Sequence, residues 1–286
     1  MIISKLTGGL GNQMFQYAAG ISLAKNLKTE FKIDISHYNN NTMRHFALHN
    51  FQISSLIVTQ KEIVKIKGNY YKQQLNKIVP LNWKTIFTEK QKFIFDPAFF
   101  NINKSIYLDG YWQNQKYFLN YRNSLQKEFI LKIKSELYRD TINKILSANS
   151  VSIHIRRGDY VNSKKIADIH GELKLDYYQK AITFIKKHIT NPIFFIFTDD
   201  PVWVKNNFNF ISPINLISNQ DLNECEELYL MSKCQHNIIA NSSFSWWGAW
   251  LNNNTSKIVI TPQNWFKTTT FNTQELLPNS WIKIKN

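Results

Sequence analysis

Cysteine is nearly absent. There are two in 286 residues, Cys225 and Cys234, too few for a disulfide framework. Both fall in one apolar-periodic segment, so they are expected to be reduced and partly buried. No run approaches ~18 consecutive apolar residues, which excludes an ordinary membrane span. The N-terminal "MIISKLTGGLGNQ" lacks the charged region and long apolar stretch of a secretory signal. The chain is therefore expected to be cytoplasmic, with peripheral contact at the inner face of the membrane left open. Acids are scarce, 20 against 35 Lys plus Arg, for a formal net charge of +15. Such an excess fits an anionic partner, whether nucleotide, nucleic acid or membrane surface. It fits equally the general abundance of Lys, Asn and Ile along the chain. There is no internal repeat, no low-complexity linker and no G-x-S-x-G elbow, and none of the seven histidines pairs at metal-ligand spacing.

Hydrophobic residues make up 43% of the chain, enough for one large core or two moderate ones. "MIISKLTGGLGNQMFQYAAGISLAKNL" reads as a strand, a glycine turn and a helix from about Gln13, and "FKIDIS" as a second strand. Residues 40–135 are less regular, with "KSIYLDGYWQNQKYF" reading as strand, loop around Gly110 and helix. "SVSIHIRRGDYV" opens a second series of alternating strands and helices. It continues through "LDYYQKAITFIKKHI", "NPIFFIFTDD", "NECEELYLMSKC", "HNIIAN", "SSFSWWGAWL" and "SKIVITP". Alternating β and α units predict parallel sheets. Two series predict an α/β protein of two Rossmann-like domains facing a cleft, 1–140 and 141–286.

In 151–157, Val151, Ile153 and Ile155 point to one face, and Ser152, His154 and Arg156 to the other. Arg156 and Arg157 fall at the C-terminal end of the strand, the edge where open α/β sheets bind ligands. Their planar forks match phosphate, and two in succession suit a pyrophosphate. Gly158 permits a sharp exit, and Asp159 can hold an arginine or act as a base. In "HNIIANSSFSWWGAWL" a strand feeds Asn241, Ser242 and Ser243, all good N-cap residues, and no acid occupies the first helical turn. That helix start is open to an anion. Trp246, Trp247 and Trp250 are read as core rather than as a sugar platform.

"GGLGNQ", with Gly8, Gly9 and Gly11, has the placement of a phosphate loop. It lacks both the G-x-G-x-x-G spacing and a Gly-Lys-Ser/Thr. Asn12 and Gln13 would suit a hydroxyl-rich ligand, and a plain tight turn explains the stretch equally well. Thr198, Asp199 and Asp200 end an apolar strand, where acids can bind a ribose, cap the next helix or hold a metal. The absence of a D-x-D with supporting ligands argues against the metal. For Glu226 and Glu227 a solvated helix face is the default, with one of them facing the cleft as the alternative.

Together, "GGLGNQMFQYA", "HIRRGDY" and "HNIIANSSFSWWGAWL" resemble the α-1,2-fucosyltransferases of glycosyltransferase family 11, from residue 8 to about 251. "FFIFTDD" resembles a motif shared with α-1,6- and protein O-fucosyltransferases. The resemblance implies a GT-B fold, GDP-β-L-fucose as donor, a galactose-terminated glycan as acceptor, inversion, no essential metal and no cofactor. It places His154 at the guanine side, Arg156 and Arg157 on the pyrophosphate, and Ser242 and Ser243 on phosphate at the helix start. Glu227 resembles an acidic guanine contact, where the family more often has Asp. Asp159 is the first candidate for the base, with Glu172 and Asp34 as alternatives. The rivals are another nucleotide-sugar transferase of this fold and a non-catalytic basic protein binding glycans or nucleic acid.

Overall fold

The computed structural model describes residues 1–39, 44–211, 213–218 and 221–286, with Asn162 described by its backbone alone. The chain divides into two compact units. Unit 1 comprises Met1–Ile130 and Asn272–Leu277, and unit 2 comprises Leu131–Phe271 and Pro278–Asn286.

In unit 1, strands β1 (Ile2–Lys5), β2 (Phe31–Asp34), β3 (Leu56–Ile57), β4 (Ile86–Thr88) and β5 (Ile106–Asp109) form a parallel sheet. Their order is β3-β2-β1-β5-β4. The order reverses between β1 and β5, so a ligand crevice is expected beyond their C-terminal ends. The first helix runs Leu10–Asn26, and between Leu10 and Ala24 only Asn12 is not buried. It starts three residues before the expected Gln13. The backbone N–H groups of Asn12 and Gln13 already donate to Gly9 O, at 3.0 and 3.1 Å, so Gly9 is the cap and Gly11 lies inside the first turn. The helix expected after Gly110 is only a 3-10 turn, Gln115–Tyr117, because the Asn114 side chain accepts from Lys116 N at 3.0 Å and fixes a tight turn.

In unit 2, strands β6 (Ser150–Ile155), β7 (Ile193–Thr198), β8 (Asn215–Leu216), β9 (His236–Ile238), β10 (Val259–Pro262) and β11 (Ile282–Ile284) form a second parallel sheet. The order is β11-β10-β9-β6-β7-β8, a doubly wound arrangement whose switch point lies between β6 and β9. β6 is buried along its whole length. Val151, Ile153 and Ile155 pack with Tyr177, Tyr178, Ile182 and Ile185 of the helix Leu175–His188. Trp246, Trp247 and Trp250 are buried, with Trp246 stacked on Trp250 and tilted against Trp281, so they are core. Cys225 and Cys234 are free thiols and fully buried rather than partly so.

The expected boundary at 140 falls inside the helix Glu136–Leu146. That helix belongs wholly to unit 2: Ser135 N donates to Glu226 (2.7 Å), and Tyr138 stacks on Tyr229. Near the C-terminus, Asn272–Leu277 returns to unit 1 through Glu275. Its carboxylate accepts from Phe95 N (2.9 Å), Asn114 Nδ2 (3.0 Å) and Lys116 Nζ (2.6 Å). Among the described residues no helix is long and apolar enough to cross a membrane.

Candidate active site

The C-terminal ends of β6, β7 and β9 bring the "HIRRGDY", "TDD" and "NSSFS" stretches together at the switch point of unit 2. Arg156, one residue past β6, bonds Asp159 Oδ1 at 2.6 Å and Asp199 Oδ2 at 2.9 Å. Burial works against its charge, but Asp199 and Asp159 more than offset that, and the guanidinium stays cationic. A guanidinium carries five N–H donors, so two ion pairs leave others for a ligand. Gly158 makes this packing possible. A Cβ there would lie 2.7 Å from Asp199 Oδ2, inside contact distance.

Arg157, which from its place after the strand could reach in from the turn or brace it, makes bracing contacts. Its backbone N–H donates to Asp199 Oδ1 (2.8 Å), its Nε donates to Asp200 Oδ2 (3.3 Å), and its Nη1 pairs with Glu172. Its guanidinium lies 4.0 Å over the Trp203 ring. These contacts brace the turn, and as for Arg156 two ion pairs leave other guanidinium N–H groups for a ligand. Asp200 also caps the helix Pro201–Asn207 by accepting from Trp203 N, so of the roles open for this acid the structure selects the cap. Four carboxylates therefore surround two guanidiniums. A bare pair of arginines waiting for pyrophosphate is not what is found.

The other half of the site is the helix Ser243–Leu251. Ser242 is its N-cap, its Oγ accepting from Phe244 N at 3.3 Å, and no acid lies in the first turn. Ser243 N, like any N–H at a helix start, has no intrahelical partner. Two rings tie this helix start to Arg156. Tyr160 donates its hydroxyl to Asn241 O (2.9 Å) while the Arg156 guanidinium sits 5.7 Å over its ring. His154 packs against Phe244 with ring centroids 5.3 Å apart. Asn241 is itself structural on one side, its Nδ2 donating to His170 O, Gly171 O and Trp265 O.

Three buried polar atoms here have no partner: His154 Nδ1, Asn241 Oδ1 and Nδ1 of His170, whose ring stacks on Tyr160. Burial and the Arg156 charge push the His154 imidazole down to about 3, so the ring is neutral. Glu226 and Glu227 do not form a solvated helix face. Glu226 is buried in a capping box with Asn223 and accepts from Ser135 N. Glu227 is half-buried beside Ser218, whose Oγ also accepts from Thr198 N at the end of β7. Burial, with Glu224 and Asp199 nearby, pushes the Glu227 carboxyl up to about 7.

At the switch point of unit 1, Gly8 takes φ +77°, a backbone state that favours glycine. Gly9 lies beside Arg44, whose Nη1 would be 3.7 Å from an added Cβ. Asn12 Oδ1 accepts from Gln113 Nε2 (2.6 Å), and Lys5 pairs with Asp109 (3.3 Å) across β1 and β5. Gln13 is fully buried and occupied by backbone. Its Nε2 donates to Gly8 O and His45 O, and its Oε1 accepts from Ala47 N. It is a strut rather than a ligand contact. Asp34 is buried, accepting from Tyr107 OH (2.5 Å) and Ser36 N (2.9 Å). Of the three candidate bases, Asp159 and Glu172 are paired with arginines and Asp34 with a tyrosine.

Sequence reasoning missed Tyr160, Trp203, Phe244, Ser218 and Arg44. Tyr160 stood inside a quoted motif, but nothing in the motif revealed that its hydroxyl would bond Asn241 O. Among the described residues no group of three or more His, Cys, Asp or Glu is placed to hold a metal ion.

Two doubly wound parallel-sheet units, each with its strand ends converging at a switch point, define the GT-B class of glycosyltransferases. The sequence profile of Glycosyl transferase family 11 matches residues 2–285, and the chain belongs to this family. An alpha-1,2-colitosyltransferase of Escherichia coli is 35% identical, covering 100% of this chain and 99% of its own. The O-antigen biosynthesis glycosyltransferase WbnK of Escherichia coli is also 35% identical, with 98% and 99% covered. Among solved structures, Arabidopsis thaliana FUT1 in complex with GDP superposes with a TM-score of 0.55. That match covers 92% of this chain and 71% of the other at 9% identity, a likeness of fold.

Proposed function

We propose that this glycosyltransferase moves L-fucose from GDP-β-L-fucose to the 2-hydroxyl of a galactoside, with inversion, in surface polysaccharide or O-antigen synthesis. The observation that carries the reading is the meeting of Arg156 with an acid-free helix start at the switch point, beside the unmatched buried atoms His154 Nδ1 and Asn241 Oδ1. The acceptor oxygen attacks C1 from the face opposite the phosphate. The bond from C1 to the phosphate oxygen breaks with its electron pair left on the phosphate, and the acceptor's proton passes to water. Negative charge grows on the β-phosphate, where Arg156, the Ser243 N–H and the Ser242 hydroxyl stabilise it. Asp159 and Asp199 aim Arg156 in this scheme. His154 Nδ1 and Glu227 face the guanine, and Arg157 holds the turn. Unit 1 carries the acceptor side.

The donor class has a second reading with its own support. One 35% identical relative is named for colitose, which is L-fucose without its 3-hydroxyl. A site that hydrogen-bonds that hydroxyl rejects the deoxy sugar by roughly 10⁴-fold, whereas an apolar pocket discriminates by only about 100-fold. A panel of GDP-fucose and the GDP form of colitose, with product linkage read by NMR, separates the two. Turnover with some other nucleotide sugar and with neither of these would refute the proposal. GDP should raise the melting temperature, and Arg156→Ala should abolish that shift. Transfer should persist in EDTA, since this scheme neutralises the leaving phosphate with fixed protein charge.

A further inference from the structure

One region of unit 1 has an amphipathic pattern turned outward. From Ile63 to Thr88 the sequence holds Lys65, Lys67, Lys72, Lys77 and Lys84 and neither Asp nor Glu. The helix Tyr70–Leu75 and the turns after it carry Tyr71, Leu75 and Ile78 at helical spacing. That spacing ordinarily marks a core-facing stripe. Here the stripe faces solvent: Tyr71 is 77% exposed, Ile78 80% and the neighbouring Trp83 74%.

The inner side of the segment is firmly fixed. Asn76 is buried; its Nδ2 donates to Ile86 O (2.7 Å) and its Oδ1 accepts from Thr85 N (2.6 Å) and Ile86 N (2.9 Å), pinning the segment to β4. Thr85 Oγ1 donates to Lys67 O at 3.1 Å. The exposed apolar residues thus lie on either side of a buried anchor, Tyr71, Leu75 and Ile78 on the stretch that carries Asn76 and Trp83 on the turn that leads to Thr85. Lys65, Lys72 and Lys77 are exposed in the same stretch, Lys72 and Lys77 next in sequence to Tyr71 and Ile78, and Lys104 places its Nζ on Asn82 O, the residue before Trp83. Burial and the Lys72 charge push the Lys104 ammonium down. Among the described residues none of these four lysines forms an ion pair.

We propose that this face, centred on Tyr71, Ile78 and Trp83 together with Lys65, Lys72 and Lys77, docks the enzyme on an anionic lipid bilayer. The chemistry favours a bilayer over a protein partner. Protein interfaces are depleted in lysine, whereas membrane-surface segments combine lysine with tryptophan, tyrosine and aliphatic side chains. A nucleic acid would use the lysines but not Leu75 and Ile78. Uncompensated positive charge meets negative lipid headgroups, and Trp83 and Tyr71 suit the headgroup layer.

The test is flotation of the full chain, without donor or acceptor, on phosphatidylcholine vesicles with and without phosphatidylglycerol. Binding is expected only with the anionic lipid and should weaken with salt. The triple variant K65Q/K72Q/K77Q should lose on the order of 100-fold in affinity, about fivefold per lysine. K132Q/K186Q/K187Q removes the same charge from exposed sites in unit 2 and should retain binding. Y71S/I78S/W83S should lose about tenfold or more. Brominated lipid should quench tryptophan emission in the parent but not in W83F. Transfer to a soluble galactoside should be unchanged in all these variants, so vesicle binding and donor chemistry fail or succeed separately. The proposal is overturned if both lysine triples lose binding equally, if W83F is quenched like the parent, or if the chain ignores anionic vesicles.

Discussion

Glu227 offers a test in which stability and function move in opposite directions. Its carboxyl is pushed from the ordinary 4.5 up to about 7 because burial disfavours the charge and Glu224 and Asp199 repel it. Between those two values the folded chain holds a proton that the unfolded chain has lost. Stability therefore falls as pH rises through that window, stays at its lower level above about pH 7, and is unaffected below 4.5. The displacement corresponds to at most about 3 kcal/mol at pH 8.5. Glu227→Gln keeps the shape and the Ser218 contact but removes the charge. The variant should exceed the parent in stability by under ~1 kcal/mol near pH 4.5 and by up to about 3 kcal/mol at pH 8.5. At roughly 2–4 °C per kcal/mol, that is several degrees in melting temperature. Urea or thermal unfolding at the two pH values reads this directly. At pH 8.5, where the Glu227 carboxyl is ionised, GDP should stabilise the variant less than the parent, because a charged hydrogen-bond partner for the base has gone, whereas near pH 4.5 this difference should shrink. A stability difference that is flat with pH, or a variant less stable than the parent at pH 8.5, would refute the reasoning.

Gly158→Ala should displace the Asp199 carboxylate that a Cβ would meet at 2.7 Å, costing about 1–3 kcal/mol and weakening the GDP-induced thermal shift. Gln13→Ala should destabilise unit 1 by about 2–4 kcal/mol, since Ala47 N, Gly8 O and His45 O all lose their side-chain partner; urea unfolding measures it. His154 should show no protonation by NMR between pH 5 and 8, because burial and Arg156 hold its imidazole near 3. Since the unfolded ring binds a proton below its ordinary 6.5, His154 should also lower stability as pH falls from 6.5 toward 3, and His154→Gln should flatten that limb.

Unit 2 was largely legible in the sequence because its strands carry strong local signals. β6 ends its apolar run abruptly on charge, β7 is a continuous apolar run, and β9 passes directly into an uncharged cap. In unit 1, β3 and β4 are two and three residues long, too short for any periodicity to register. The first helix is buried almost all round and begins at a glycine with no side-chain cap, so neither a polar face nor a capping residue marked Leu10. At the site, the ligand edge could be read from position alone, but the division of labour between the arginines could not. Arg157 is made a brace by Glu172, Asp200 and Trp203, residues 15 or more positions away that only the fold brings near. Gln13 looked like a ligand contact because its partners are backbone groups, which leave no trace in residue type.

The return of Asn272–Leu277 to unit 1 bears on how members of this family can exchange parts. A hybrid that takes residues 1–130 from one transferase and the remainder from another would keep the wrong hexapeptide. Its Glu275 would meet foreign residues at the places of Phe95, Asn114 and Lys116. The unit that carries the acceptor side in our reading is thus encoded in two separated stretches. One crossover cannot transplant it whole. Recombination that swaps acceptor preference would need three junctions, near 130, 271 and 277, or compensating change around Glu275.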